Sequence, residues 1–181
     1  PRRFTNETAI ALARKLADIT PGDLDRVLFA PGGSQAIEMA LKLARAKTGR
    51  YKTLSFWDSF HGAGFGAAGV GGEDTFRSGT IGPLMPGTEH VAPFACFRCP
   101  YGYPDRDGMP DLDLCNMMCA NFVDYVLEKE GDVAALVAEP IRSIPYIPPP
   151  GFWKQVRKAC LLYTSDGAAA TPCVELGGRR R

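Results

Sequence analysis

Apolar residues along the chain follow two periods, one typical of helices and one typical of buried strands. After Asn6, a favourable N-cap residue, Ile10, Ala13 and Leu16 recur at helical spacing and predict an amphipathic helix over 6–18. Further helical patterns occur at 34–48, 122–130 and 154–160, and continuous apolar runs typical of strands occur at 27–30, 53–56 and 133–138. Strands that alternate with helices predict an α/β fold with a largely parallel sheet.

Two regions depart from this alternation. Residues 62–110 are rich in glycine and proline and have no sustained period, which predicts a long loop region. After the predicted helix 154–160 another buried strand should follow, but the chain ends in three arginines. The stretch 161–166 resembles the translation of a sequencing-adapter read-through. We therefore expect residues 161–181 to be a non-native or disordered tail.

The composition narrows the class of partner. The 181 residues are 45% hydrophobic and 23% charged, which is typical of one globular domain or part of a larger one. The 21 basic and 20 acidic residues nearly cancel, so neither a nucleic-acid groove nor an anionic membrane surface is indicated. Without a basic leader followed by an apolar run, the default location is cytoplasmic. Small molecules and further copies of the chain are the expected partners.

The strongest chemical signal lies between the predicted strand 27–30 and the next helix, in Gly32-Gly33-Ser34-Gln35-Ala36. Glycines allow a ligand close to the backbone, and the unpaired N–H groups and dipole of a helix N-terminus favour an anion. This predicts a phosphate-binding turn, with the alternative that Ser34 merely caps the helix. The spacing matches neither a P-loop nor a dinucleotide fingerprint, so a mononucleotide-type or cofactor phosphate is preferred.

The residues that follow resemble a known family. The stretch 33–45 is similar to the class III aminotransferase pattern Gly-Ser/Thr-Glu-Ala-x-Glu-x-Ala-x-Lys-x-Ala-Arg, with Gln35 in place of the usual Glu. In that family the Gly and the Ser or Thr bind the phosphate of pyridoxal 5′-phosphate. The resemblance therefore implies that Gly33 and Ser34 bind this phosphate, and that pyridoxal 5′-phosphate is the cofactor.

Two later motifs occur in the order that the family requires. Phe60-His61-Gly62 is similar to its aromatic-His-Gly motif, in which the aromatic ring stacks on the cofactor and the glycine leaves room for it. Glu139-Pro140, at the end of the predicted strand 133–138, is similar to its Glu-Pro motif, whose Glu lies near cofactor and substrate. Taken singly, these motifs would indicate a core Phe beside a structural His, and a solvated acid at a strand end. The resemblance implies a cofactor-binding set of Gly33, Ser34, Phe60, His61, Gly62 and Glu139.

The resemblance also implies an architecture and a reaction. Residues 1–160 would form part of a fold-type-I large domain, an α/β/α sandwich with a mostly parallel sheet that binds pyridoxal 5′-phosphate and belongs to a homodimer. The reaction would transfer an amino group between an amine or amino acid and a 2-oxo acid. The alternatives are an ammonia-lyase-type enzyme of the same family and a non-catalytic α/β phosphate-binding module.

The sequence departs from the family at two points. Many members continue the Glu-Pro motif as Val-Gln-Gly-Glu-Gly, whereas here Ile144 replaces the Glu that pairs with a substrate-switching arginine in some branches. The family's Schiff-base Lys and the Asp that pairs with the pyridine nitrogen have no counterpart here and are expected downstream. No lysine matches an expected position, the candidates being Lys15, Lys42, Lys47, Lys52, Lys129, Lys154 and Lys158. We therefore assign no catalytic residue to this chain and predict no turnover by it alone.

Four of the six cysteines fall in one region. Cys96-x-x-Cys99 and Cys115-x-x-x-Cys119 have a spacing near that of a four-thiolate zinc site. The two pairs differ in spacing, however, and neither lies in an obvious zinc-knuckle turn. We therefore predict reduced thiols and no metal.

Overall fold

The computed structural model describes residues 5–22, 24–106, 109–143, 146–164 and 174–175. Its helices are α1 (Glu7–Ile19), α2 (Gly33–Thr48), α3 (Phe65–Val70), α4 (Leu112–Cys115), α5 (Met118–Glu130) and α6 (Phe152–Thr164). Its strands are β1 (Lys52–Phe56), β2 (Thr88–Val91), β3 (Asp105–Arg106), β4 (Met109–Pro110), β5 (Val133–Ala138) and β6 (Val174–Glu175). Within the described part of the chain, no helix is long and apolar enough to cross a membrane.

The described residues up to Pro31 belong to one compact unit, which contains α1. The predicted N-cap is confirmed, since the side chain of Asn6 accepts a hydrogen bond from the N–H of Ala9 at 2.8 Å. The predicted strand at 27–30 is wrong. An apolar run becomes a strand only where a neighbouring strand pairs with it, and residues 24–30 belong to neither described sheet. Leu28 is accordingly 62% exposed.

The main sheet lies in the second unit, which begins at Gly32. Its strand order is β2-β1-β5-β6, and each neighbouring pair is parallel. The predicted α/β fold with a parallel sheet is therefore confirmed. All six residues of β5 are buried, as expected for a strand that is covered on both faces. Strands β3 and β4 form a small antiparallel pair of their own.

The two faces of the sheet are covered by different helices. Successive side chains of a strand point to opposite faces of the sheet. The contacts of Leu136 and of Val137 in β5 therefore show what packs against each face. Leu136 belongs to a core cluster with residues of α5 and α6, whereas Val137 packs with Ile37 of α2 and Val70 of α3. This gives a three-layer arrangement, in which helices lie on both sides of the sheet.

The glycine stop signals correctly predict the C-terminal ends of two helices. Helices α2 and α5 end at Gly49 and Gly131, both in the left-handed conformation that glycine adopts readily. Helix α6, by contrast, continues through Thr164, so the predicted helix end at 160 is wrong. Its last turn is held by packing of Tyr163 against the core and by a hydrogen bond from Nη1 of Arg50 to the Tyr163 carbonyl. Beyond 164 only the two residues of β6 are described. That 161–181 is non-native stays a prediction.

The predicted long loop at 62–110 contains regular structure that the pattern does not reveal. Strand β2 pairs in parallel with β1, and helix α3 follows the Gly62 turn. Strand β2 has the sequence Thr-Glu-His-Val and lies at one end of the described sheet, so only its Val91 is fully buried. A polar edge strand of four residues gives no apolar run.

Candidate functional site

The site begins at the N-terminus of α2. Gly32 is the N-cap residue and Gly33 the first helical residue, so the alternative that Ser34 caps this helix is wrong. The first turn closes with a hydrogen bond from the N–H of Ala36 to the carbonyl of Gly32. The N–H groups of the helical residues before Ala36 have no carbonyl partner within the helix, as at any helix N-terminus. A Cβ atom on Gly33 would meet nothing within 4 Å, so there is open space beside this residue.

Gly62 lies directly against Ser34. A Cβ atom on Gly62 would lie 2.3 Å from Ser34 Oγ and 2.9 Å from its Cα, distances that no real side chain could tolerate. The backbone of Gly62 also has a φ of 125°, which favours glycine. The motifs that contain Ser34 and Gly62, two residues 28 positions apart in sequence, are therefore in contact. Only glycine can occupy position 62.

Phe60 and Glu139 join the ends of two neighbouring strands. Glu139 follows β5, Phe60 lies shortly after β1, and the N–H of Phe60 donates to Oε1 of Glu139 at 2.9 Å. Phe60 is 43% exposed, and its ring packs against the ring of Phe76 with 4.6 Å between centroids. One aromatic ring with an exposed surface thus lies at the carboxyl edge of a parallel sheet, where ligands of such folds bind.

His61 turns inward from the same loop. Its ring is buried, with Nε2 3.3 Å from Ser55 Oγ, and Ser55 Oγ lies 3.3 Å from Ser59 Oγ. Burial, and to a smaller extent the nearby His90, lowers the pKa of His61 to about 4. At neutral pH the ring is therefore uncharged, and its contacts are with β1 and the loop that follows it.

The segment after Glu139-Pro140 is held by a charged pair that the sequence did not reveal. Arg142 is buried, and its Nη2 lies 3.2 Å from Oε2 of Glu73. Its guanidinium also lies over the Tyr146 ring, whose hydroxyl donates to Oδ2 of Asp58 at 3.1 Å. The only indication in the sequence that this segment is unusual was its departure from the family pattern. Ile144, which carried that departure, lies outside the described residues.

The four clustered cysteines line one small cavity away from these residues. Cys96, Cys99, Cys115 and Cys119 carry free thiols around a cavity of about 20 Å³, room for little more than one water molecule. Burial, and to a smaller extent the neighbouring thiols Cys96 and Cys115, raises the pKa of Cys119 to about 12. Among the described residues, no three Asp, Glu, His or Cys side chains are arranged to hold a metal ion. The cavity is far too small for a cofactor.

Comparison with known proteins places this arrangement in context. The family model for class-III aminotransferases matches residues 2–164. The chain is 46% identical over 170 residues to (R)-1-hydroxy-2-aminoethylphosphonate ammonia-lyase of Vibrio splendidus, covering 88% of this chain and 35% of that protein. It is 36% identical over 168 residues to the adenosylmethionine-8-amino-7-oxononanoate aminotransferase of Geobacter sulfurreducens, covering 87% of this chain and 35% of the relative.

A solved structure has a similar fold. It is taurine:2-oxoglutarate aminotransferase of Bifidobacterium kashiwanohense in complex with pyridoxal phosphate and glutamate, with a TM-score of 0.78 and 30% identity. The match covers 88% of this chain and 36% of that structure. The chain therefore spans about a third of the length of the proteins it matches.

Proposed function

Because the chain belongs to the class III aminotransferase family, we propose that it forms part of the cofactor site of a pyridoxal-phosphate-dependent enzyme. The observation that carries the proposal is the contact between Gly62 and Ser34, together with the hydrogen bond from Phe60 to Glu139. These two contacts bring the three sequence motifs to one edge of the sheet. Neither contact could be derived from the order of the motifs alone.

The residues fit the cofactor in chemistry and in space. The open helix start at Gly33 and the hydroxyl of Ser34 suit the dianionic phosphate. The exposed part of the Phe60 ring suits the flat pyridine ring, and Gly62 allows the backbone to come close to Ser34. Glu139 accepts a hydrogen bond from the N–H of Phe60, and His61 supports the same loop from inside. When bound, the cofactor supplies the electron sink for chemistry at the carbon that bears the amino group.

The reaction that the family implies first is amino-group transfer between an amine or amino acid and a 2-oxo acid. In this proposal the chain contributes binding and orientation of the cofactor, because no catalytic residue is assigned to it. The lysine and the pyridine-binding aspartate would come from a part of the whole protein outside this chain. A homodimer and a cytoplasmic location are further proposals for the whole protein, based on the family and on the sequence.

A second candidate reaction, elimination of ammonia, has specific support. The relative at 46% identity is an ammonia-lyase, whose name specifies a hydroxylated aminoethylphosphonate as its substrate. In addition, the segment after Glu139-Pro140 lacks the family's usual Val-Gln-Gly-Glu-Gly. The first observation favours a small amine with an anionic group as the substrate and elimination as the reaction, and the second removes one marker of the aminotransferase branches.

The test uses the complete gene product that contains this chain. Binding of pyridoxal phosphate is followed by its visible absorbance, and (R)-1-hydroxy-2-aminoethylphosphonate is then added with and without 2-oxoglutarate. Release of ammonia without the 2-oxo acid identifies elimination, whereas formation of glutamate only in its presence identifies transfer. A protein that binds phosphate but never acquires the cofactor absorbance would instead be a non-catalytic phosphate-binding module, and the proposal would be wrong.

A further inference from the structure

We propose that Glu139 is a positioning residue whose carboxylate fixes the backbone of Phe60, and through it the plane of the Phe60 ring. The inference rests on the proposed cofactor site and assigns this residue a role in it. Glu139 would hold the aromatic surface on which the cofactor lies, rather than contact the cofactor's reacting atoms.

Three consecutive residues of the loop after β1 are held by three different parts of the fold. The N–H of Phe60 is bound by Glu139 at the end of β5. The ring of His61 lies within hydrogen-bond distance of Ser55 of β1, and the Cα of Gly62 lies against Ser34 of α2. The loop itself is neither helix nor strand at these positions, so these contacts fix its conformation.

The contact at Phe60 is the one that determines the ring's orientation most directly. Phe60 is 43% exposed and its ring meets that of Phe76 at an interplanar angle of 46°, so packing leaves part of the ring unrestrained. A ring with this little packing keeps its plane only if the backbone that carries it is fixed. A carboxylate that accepts a backbone N–H at 2.9 Å provides a charge-assisted bond, roughly twice as strong as a neutral one.

The position of Glu139 also couples two strands. The hydrogen bond joins residues 79 positions apart, at the carboxyl ends of β1 and β5, which are neighbours in the sheet. A change in the conformation of the residues at the end of β5 would therefore move Glu139, and with it the backbone of Phe60.

The test compares Glu139→Ala, which removes the acceptor, with Glu139→Gln, which keeps an acceptor oxygen and removes the charge. Glu128→Ala is the matched control, because Glu128 is exposed and its carboxylate contacts Lys129 on the same helix. In the complete gene product without cofactor, amide hydrogen exchange is measured at Phe60. The dissociation constant for pyridoxamine 5′-phosphate, which binds without the lysine, is measured by fluorescence.

We expect Phe60 to exchange about tenfold faster in Glu139→Ala, since loss of a charge-assisted bond of about 1.5 kcal/mol corresponds to that factor. Pyridoxamine phosphate should bind about tenfold more weakly to the same variant. Glu139→Gln should stay within about threefold of the unchanged protein in both measurements, as should Glu128→Ala. If Glu139→Ala does not fold, Glu139→Leu, which removes the acceptor but keeps a side chain of similar length, replaces it in both measurements, with the same tenfold effects expected.

Two results would overturn the proposal. Unchanged Phe60 exchange in Glu139→Ala would show that the carboxylate does not fix the backbone. Weak cofactor binding by Glu139→Gln with Phe60 still protected would show that the charge acts on the cofactor directly. If the unchanged protein binds no pyridoxamine phosphate, the proposed function fails, and the exchange measurements alone decide the structural role of Glu139.

Discussion

At the scale of single residues, the two glycines of the site differ in the space that is available for a side chain. Gly62 has no room for a Cβ atom, since Ser34 Oγ would lie 2.3 Å away, whereas Gly33 has nothing within 4 Å. Gly62→Ala should therefore destabilise the fold by about 1–3 kcal/mol, through both the clash and the φ of 125°. Gly33→Ala should leave the stability unchanged or raise it by up to about 1 kcal/mol, because alanine is the better helix former.

Urea denaturation measures both effects, and cofactor binding separates the roles of the two residues. If the phosphate lies at the start of α2, Gly33→Ala should weaken pyridoxamine phosphate binding although the fold is intact. Undiminished affinity in Gly33→Ala would argue against the proposed phosphate position. A Gly62→Ala variant as stable as the unchanged protein would contradict the close contact with Ser34.

His61 makes the stability depend on pH in a defined direction. Its pKa in the folded protein, about 4, lies below the ordinary value of 6.5, because burial disfavours the charged ring. Above pH 6.5 the ring is neutral in both states and has no effect. Between pH 6.5 and 4 the unfolded chain takes up a proton that the folded chain does not, so stability falls by up to about 3 kcal/mol.

The measurement is the free energy of unfolding at several pH values, compared with that of His61→Gln. Glutamine does not titrate, and it can still donate to or accept from Ser55. The difference between the two proteins should be constant above pH 6.5 and should change in favour of the variant as the pH falls towards 4. Parallel curves over this range would mean that the ring is not buried as described.

At the scale of secondary-structure elements, the helices on one face of the sheet depend on an aromatic cluster. Phe152, the first residue of α6, is fully buried, and its ring lies 4.9 Å from Phe94 and 4.8 Å from Trp153. Phe152→Ala should lower the free energy of unfolding by about 3–5 kcal/mol, which could unfold the chain. Phe65→Ala is the matched control, because Phe65 is 68% exposed and its removal should cost little. Equal effects of the two substitutions would contradict the described core.

Sequence patterns predict those elements whose own residues determine their structure. Strand β5 is a run of six apolar residues, and α5 ends at a glycine in the left-handed conformation, so both could be predicted. Strand β2 could not, because its pairing with β1 rather than its polar sequence makes it a strand. Conversely, 27–30 has the composition of a strand and belongs to neither described sheet. Strand formation depends on a partner, which one segment of sequence does not reveal.

The residues of the site could be predicted from the sequence, but the contacts between them could not. Resemblance to the family brought Ser34, Phe60 and Glu139 together as candidates, because their motifs occur in the required order. The contact of Gly62 with Ser34 and the pair formed by Arg142 and Glu73 could not be predicted, since each joins residues that are distant in sequence. Such contacts are set by how the chain packs between the layers.

At the scale of the whole molecule, the 181-residue chain should bind pyridoxal phosphate weakly or not at all, and should show no turnover. It spans about 35% of its curated relatives, so the remaining parts of a whole protein would have to complete the site. In the described sheet, β2 at one end exposes an unpaired strand edge. Exposed edges and apolar faces that a larger protein would cover favour aggregation of the isolated chain.

The comparison is between this chain and the complete gene product, each titrated with pyridoxamine 5′-phosphate, with ultracentrifugation to determine the oligomeric state. The complete protein should bind the cofactor as a dimer, because the family's site is expected to need both the remaining domain and a partner subunit. For the chain alone, we expect affinity lower by at least about a hundredfold, equivalent to roughly 2.7 kcal/mol. A folded monomer of residues 1–160 with full affinity and turnover would mean that Gly33, Ser34, Phe60 and Glu139 suffice for the site. The proposed division of roles between this chain and the rest of the protein would then be wrong.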